Sequence, residues 1–494
     1  MNLKARLSVV TALLVALCCA TAGYADTIRT FTGLNYHDPE RAFAGYTLFR
    51  ALGNGTTYLI DMDGNVVHTW FNATSNPRLL DNGNLLTRSD GNINTVTELD
   101  WDDNVVWSYE ETRPNYRMHH DFVRRFNPKL GEMTTFYIAN RDVSLEECIS
   151  IGCNPETYQP GAQMDTIVEV NMDGEVIWEW RFVDHLIQDK YPDKANYVGE
   201  GKTIADYPGR LNVHLPGVPV RRDWLHFNAM DYNSELDQVT FSAVYGEVYI
   251  VDHGGTFVPG DPEQSIALAA GPAGDILWRF GDPARYEQGD PPSISENWTQ
   301  SSSGHKQVGG VHDIQWIAEG LPGAGNMLLF NNGHYLFERM PQSYVHEINP
   351  YLDASGNDTG SYVNPPDAGY YLWESEQLGT THKLPRNVSR QIVWTYSSRD
   401  TQNFFSHLAS GAHRLPNGNT FICASTTGHL FEVTADGDLV WEYVNPVTTD
   451  GQIVDELIDA PPTFNMPFRA YRYGPDHPAF AGRDLTPMGP IGAQ

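Results

Sequence analysis

The chain of 494 residues carries 62 acidic against 32 basic side chains, a formal net charge of −30. So acidic a surface excludes nucleic acid and anionic membranes as partners, because both attract basic faces; an anionic substrate would need a local basic or imidazole-rich pocket. The length exceeds one ordinary core, so several domains or a closed repeat must organise it.

At the amino terminus Lys4 and Arg6 precede the apolar run "LSVVTALLVALCCA", and the small residues Ala20, Ala22, Gly23 and Ala25 offer cleavage sites. This is the pattern of a signal peptide, read here over residues 1–25, with export to the periplasm or the extracellular space as its consequence. No later segment is apolar enough to span a bilayer, so no membrane association is expected after cleavage. Export permits disulfides. Cys18 and Cys19 leave with the signal peptide, Cys148 and Cys153 in "ECISIGC" are the predicted pair, and Cys423 reads as a buried thiol in a strand.

After a short segment, 26–42, one pattern recurs: an Asp- or Asn-rich turn with glycine, then an apolar strand ending in tryptophan. It appears as "DMDGNVVHTW" with Trp70, "DWDDNVVWSY" with Trp107 and "NMDGEVIWEW" with Trp178. It returns as "GPAGDILWRF" with Trp278, "NVSRQIVWTY" with Trp394 and "TADGDLVWEY" with Trp441, six copies in all. Each reads as the second half of a β-hairpin, because the turn residues tolerate positive φ and Val, Ile, Trp and Tyr suit a pleated sheet. Repeated hairpins at irregular intervals predict an all-β chain, a six-bladed β-propeller over residues 43–473 with a surface tail at 474–494. The intervals are longest between Trp178 and Trp394, where large loops must lie, and long loops on a rigid scaffold are where binding is built.

Several strands that would open a blade begin with histidine: "RMHHDFV" with His119 and His120, "DWLHFNAM" with His226, "GGVHDIQW" with His312 and "SGAHRLPNGN" with His413, to which His407 adds a fifth place. Since the first strand of each blade lines the central channel, these rings are expected to converge on the axis, with His413 in register with His226 and His312. Any one of them alone is better explained as a satisfied structural histidine. Together, converging imidazoles suit anion binding, nucleophilic or acid–base chemistry, or a metal. The metal is the weakest of these, because no histidine pair has tight helical spacing and no cysteine pair assists. There is no GxxxxGK[ST] loop, no GxSxG elbow and no GxGxxG entering a helix, so no nucleotide cofactor is expected. Arg339 and Arg414 are candidates to hold an anion, against surface ion pairing. Tyr116, Tyr335 and Trp316 could stack an aromatic ligand, against core packing.

The runs "GYTLFRALGNGTTYLIDMDGNVVHTW", "VHDIQWIAEGLPGAGNMLLFNNG" and "SGAHRLPNGNTFICASTTGHLFEVTADGDLVWEYVNP", with the terminal "FRAYRYG", resemble the bacterial aryl-sulfate sulfotransferases across nearly the whole mature chain. The resemblance implies an exported six-bladed propeller that moves a sulfuryl group from an aryl sulfate to a phenol through a sulfohistidine, without a nucleotide sulfate donor or other cofactor. It implies His226, with Asn228 beside it, and His312 as channel residues holding the sulfuryl oxygens, Arg339 as the arginine after "NNG", and His407 in "FFSHLASGA" as the nucleophile. His120 and Arg414 stand near this set as candidate substrate contacts. His413 stands where many relatives carry glutamine, which leaves it an extra channel group or an alternative nucleophile. Members that dimerise do so through a β-sandwich domain ahead of the propeller; Asp26 to Phe43 holds no room for one, so the oligomeric state is open. The competing readings are a non-catalytic propeller that binds a glycan or protein, and a metal-dependent hydrolase or lyase on the same scaffold.

Overall fold

The Asp-rich turns close tight hairpins by local chemistry. Asp61 Oδ1 accepts the backbone N–H of Asp63 and of Asn65 at 3.0 and 2.8 Å, and Gly64 follows at φ 82°. Asn171 with Gly174 builds the third blade's turn in the same way, while in the second Asp103 takes the left-handed position at φ 68°. Such a side-chain-capped turn with one left-handed residue reverses the chain and leaves a bulge behind it, seen as register shifts at Leu59/Ile60, Glu98/Leu99 and Glu169/Val170.

The computed structural model describes residues 31–493 apart from 74, 90–91, 157, 216–222, 224, 295–299, 303, 334–341, 365–371, 377–378, 382–388, 399–403 and 455–464. Six four-stranded antiparallel blades form the propeller. From the innermost strand outward, the second is Arg78–Leu79, Leu85–Ser89, Asn92–Leu99 and Val105–Glu110, and the third Tyr116–Asn127, Glu132–Ser144, Gly161–Val170 and Val176–Arg181. The fourth is Phe227–Asn233, Gln238–Ala243, Glu247–Asp252 and Trp278–Phe280, the fifth Val311–Trp316, Met327–Asn331, Tyr344–Ile348 and Ile392–Tyr396, and the sixth Gly411–Arg414, Thr420–Ala424, His429–Val433 and Leu439–Val444.

Both ends of the chain close the ring. Pro467–Tyr473 supplies the innermost strand of the first blade, ahead of Tyr46–Ala51, Thr57–Ile60 and Val66–Trp70. Gly33–His37, expected only as lead-in, pairs with Leu439–Val444 as a fifth strand of the last blade. The tail straps the first blade through Met488 N–H to Val66 O and Val66 N–H to Gly489 O. Two hairpin expectations are corrected. The helix Pro262–Ala269 intervenes before Trp278, and a further sheet of Ser293–Ile294, Gln300–Ser302, Leu372–Glu376 and Gly379–Thr381 draws on the chain before Trp394. Among the described residues no helix is long and apolar enough to cross a membrane.

Four of the six repeated tryptophans fasten one blade to the next through a turn carbonyl. The indole N–H of Trp70 donates to Asp100 O, Trp107 to Met172 O, Trp394 to Ala435 O and Trp441 to Met62 O, each a carbonyl in the turn of the next blade. Opposite Trp107, Trp394 and Trp441 stand Glu98, Glu347 and Glu432. Each glutamate pairs with an arginine from the next blade's innermost strand: Arg124 at 2.8 Å, Arg414 at 2.5 Å and Arg472 at 3.4 Å. The guanidinium lies over the tryptophan ring, at 4.4, 5.2 and 4.3 Å from its centroid. This stacked, ion-paired arginine joins blade to blade while keeping its charge compensated.

Between the third and fourth blades a histidine takes the arginine's place. His253, fully buried, holds Glu169 at 2.9 Å through Nε2 and Asp237 at 2.6 Å through Nδ1. Burial pushes its pKa down, but the hydrogen bonds it donates to both carboxylates prevail and raise it above the ordinary imidazole value. A raised folded pKa stabilises the fold fully below the unfolded value and is lost as pH climbs through the folded one. His253→Gln is therefore expected to remove about 3 kcal/mol or more near neutral pH. Urea melts should show a smaller deficit as the pH is taken above neutrality.

Candidate active site in the central channel

The third blade's innermost strand carries His119 and His120 side by side because it is bulged there, with His120 at φ 52°. In the fourth blade His226 stands just ahead of Phe227–Asn233, at φ 57°. Left-handed backbone at bulky residues costs energy, and the bulge spends it on aiming side chains off the regular alternation of the strand. The three rings meet. His119 Nδ1 lies 2.8 Å from His120 Nδ1, and His120 Nε2 lies 3.2 Å from His226 Nε2. At the outer ends His226 Nδ1 faces Asp223 Oδ2 at 2.6 Å, and His119 Nε2 is 2.9 Å from Asp165 Oδ1, close but not aligned as a good hydrogen bond. Burial first, then repulsion from His119, His226, His312 and Arg88, holds His120 well below the ordinary imidazole range, so it is neutral at pH 7. The Phe468 ring lies 5.9 Å from His120 and offers an apolar wall.

His312 is buried in the fifth blade, with Nδ1 2.7 Å from Asn332 Oδ1. Asn332 spends its Nδ2 protons on the carbonyls of Ser406 and Ala409, at 2.7 and 3.2 Å, so its oxygen must face the imidazole and His312 carries its proton on Nδ1. That amide ties His312 to the loop on both sides of His407. The same loop is pinned by Ser406 Oγ, which takes the N–H of Thr426 and the hydroxyl of Ser410. Ala409 and Ser410 follow at φ 48° and 84°. His407 is half-buried on Phe405, ring centroids 6.1 Å apart, and burial lowers its pKa below the ordinary value. Among the described residues no side chain hydrogen-bonds its ring.

Immediately after His120 and His312 come Asp121 and Asp313, which Arg469 crosslinks at 2.7 and 3.5 Å. Arg78 adds a second cation on Asp121 at 2.9 Å. Burial opposes ionisation of Asp121, yet Arg469 and Arg78 keep its pKa low; at Asp313 burial wins and the pKa is raised.

Of the residues picked from sequence, His120 and His226 meet directly, and His312 reaches the His407 loop through Asn332. Three others are corrected. His413 is not in register with His226: it comes after the Arg469 crosslink along its strand. There it lies between Phe421 and Tyr471, accepts the Arg472 N–H at 3.1 Å, and burial pushes its pKa down to about 3. Its counterpart in the fourth blade is Asp231, which accepts the Trp316 N–H in the same way. Arg414 is one of the interblade arginines and turns away from the channel. Asn228, buried, donates to Val311 O of the fifth blade and accepts from Ser242 Oγ of its own blade, so both ends of its amide are committed within the scaffold. Arg339 and Tyr335 lie outside the described residues. Trp316 is core, and Tyr116 lies under the Arg113 guanidinium at 3.9 Å. Cys148 and Cys153 are joined by a disulfide in a surface insertion of the third blade, Cα atoms 5.2 Å apart. The structure adds Asp223, Asp165, Asn332 and Arg469, none of which belongs to the repeat, although Asp223 could be found as the carboxylate heading "DWLH".

Residues 47–351, well over half the chain, match the model of the arylsulfotransferase (ASST) family. The chain belongs to that family. It is accordingly an arylsulfate sulfotransferase by class, with aryl sulfates and phenols as the implied substrates. None of the curated proteins matches it. Among solved structures, a protein of unknown function from Bacteroides caccae is 12% identical, covering 87% of this arylsulfotransferase and 98% of that chain at a TM-score of 0.38. The Cps50 (Swd1) β-propeller domain of Myceliophteria thermophila is 10% identical, covering 86% and 91% at 0.33. Likeness at that level carries nothing about the chemistry of this chain.

Proposed function

We propose that this arylsulfotransferase moves a sulfuryl group from a phenolic sulfate ester to a phenolic acceptor in two displacements, with His407 as the nucleophile and no nucleotide sulfate donor. The observation that supports the reading is the Asn332 link, which ties the loop of His407, a half-buried imidazole with no hydrogen-bonding side chain among the described residues, to His312 of the channel. A lowered pKa keeps His407 neutral near pH 7, the form with a nitrogen lone pair. That nitrogen attacks sulfur, the S–O bond to the aryl group breaks with its electrons, and an N–S bond forms. The departing phenolate is protonated by solvent. In the second half the acceptor phenol gives its proton to a neutral channel imidazole, which passes it to solvent, and attacks sulfur while the N–S bond breaks. In this reading the channel histidines hold the sulfuryl oxygens through their ring N–H donors, a polar site inside an otherwise acidic molecule. The apolar run and small residues of 1–25 support export as the setting for this reaction.

Incubation with 4-nitrophenyl sulfate and a second phenol is expected to yield nitrophenol and the sulfated acceptor in equal amounts, with ping-pong kinetics. Nitrophenol release that is independent of the acceptor and yields free sulfate would make the protein a sulfatase instead. No turnover across several donors and acceptors would end the proposal.

A further inference from the structure

Two blades have no histidine in, or just ahead of, their innermost strands: the first, with Pro467–Tyr473, and the second, with Arg78–Leu79. Each brings a buried arginine instead. A blade's second strand runs antiparallel to its innermost one, so its last residues return to the end of the channel where His120, His226 and His312 stand. Next to last in these strands, Tyr46–Ala51 and Leu85–Ser89, come Arg50 and Arg88. Arg88 pairs in register with Val96, on the face of the second blade that packs on Met118 and Phe122 of the third. Its guanidinium carbon lies 5.8 Å from the centroid of the Phe122 ring. From there its charge opposes protonation of His120 and is attracted by Asp121, the two residues that precede Phe122. Burial outweighs that attraction and lowers the Arg88 pKa to about 10, which leaves it a cation at neutral pH.

We propose that Arg88 binds the sulfate group of the donor, directing guanidinium N–H groups at its oxygens beside His120. The inference rests on the channel as the place of transfer and deepens that reading with a residue that tells the two substrates apart: an aryl sulfate is an anion, the acceptor phenol is neutral. His120, neutral at pH 7, brings no charge of its own. A planar, permanently charged fork suits the oxygens of a sulfate ester. Arg88 is also set apart from the interblade arginines. Arg124, Arg414 and Arg472 stand on innermost strands, each on a glutamate of the preceding blade. The carboxylate that attracts Arg88, Asp121, is already held by Arg78, Arg469 and Asn76 at 2.9, 2.7 and 2.8 Å. A buried cation so placed gains from an anion that reaches it. In a chain of net charge −30, it also gives an anionic donor the local attraction that the whole molecule lacks. The assignment stands whichever histidine is the nucleophile.

The test uses the full mature chain and 4-nitrobenzenesulfonate, an aryl sulfonate whose C–S bond cannot enter the transfer, with binding read by calorimetry. Binding to the wild-type chain is expected to weaken as salt is raised. Arg88→Gln should weaken it about 10–100-fold, and Arg88→Lys, which keeps the charge without the planar fork, by less. Phenol, a neutral ligand, should bind both variants as it binds the wild type. In turnover, kcat/KM for 4-nitrophenyl sulfate should fall in Arg88→Gln by the same factor as sulfonate binding. Thermal melts establish that each variant is folded. Sulfonate binding unchanged in a folded Arg88 variant overturns the assignment, even where sulfuryl transfer is intact. Equal losses for sulfonate and phenol would show a deformed channel and overturn it too, as would a wild-type chain that binds no sulfonate. Sulfonate binding that depends on Arg88 in a chain that transfers no sulfuryl group would uphold the anion site and end only the reaction proposed above.

Discussion

Arg469→Met should lower the unfolding free energy by about 3–5 kcal/mol, the largest loss expected from any single channel substitution. Arg469 is the cation that Asp121 and Asp313 share, and Asp121 keeps Arg78 when it is removed. Asp313 makes no second ion pair among the described residues, and Arg78 attracts it only from a distance. Its carboxylate keeps the Ala412 N–H at 3.0 Å and the Gln315 amide at 3.1 Å, neutral donors that do not compensate a buried charge. Its pKa is already raised by burial and would rise further. A folded pKa above the unfolded one penalises the native state at high pH, and the penalty shrinks as pH falls through the folded pKa and is gone below the unfolded carboxylate value. Urea titrations should therefore show a deficit that is full at neutral pH and shrinks toward acid. Adding Asp313→Asn should restore much of the loss, since a neutral amide can keep both donors. A deficit of under about 1 kcal/mol, the range of an exposed pair, would show that water reaches the crosslink and that the channel is open at this level.

The blades were legible chiefly because four of the fourth strands, those of Trp70, Trp107, Trp178 and Trp441, are announced by their own turn chemistry. Asp61 and Asn171 cap their turns from inside the sequence window that contains them. Why the strands end in tryptophan was not legible: the indole of Trp70 bonds Asp100, and that of Trp441 bonds Met62 across the closure of the ring. The channel histidines were legible as a group and not in register. Alternation along a strand assigns faces correctly only while the strand is regular, and bulges at His120, at Asn228 and at Asp313 shift every side chain after them. His413 thus resembled His312 in its sequence surroundings, yet stands at the level of Asp231. Arg414 looked like an anion ligand because its partner Glu347 comes from another blade. The meeting of His120 with His226 escaped for the same reason, as the two rings come from different blades.

His407→Ala should reduce sulfuryl transfer on the order of 10⁵-fold, the scale seen when a covalent nucleophile is removed. Trapping with donor alone should add one SO₃ group to the wild-type chain and none to the variant. His413→Ala is expected to keep both the mass addition and turnover, because its ring lies past the Arg469 crosslink and caps the Arg472 N–H. Its cost should appear in stability, at about 1–3 kcal/mol for a buried N–H left unsatisfied. The pH profile adds a signature that a structural role would not produce. Burial lowers the pKa of His407, so the acid limb of kcat/KM for the donor should fall below the ordinary imidazole value and disappear with the nucleophile. Mass addition that persists in His407→Ala and vanishes in His413→Ala would move the nucleophile across the crosslink. An aryl sulfate would then have to enter from the opposite end of the propeller, where Arg125, Asp231 and Tyr473 rather than histidines neighbour the strands.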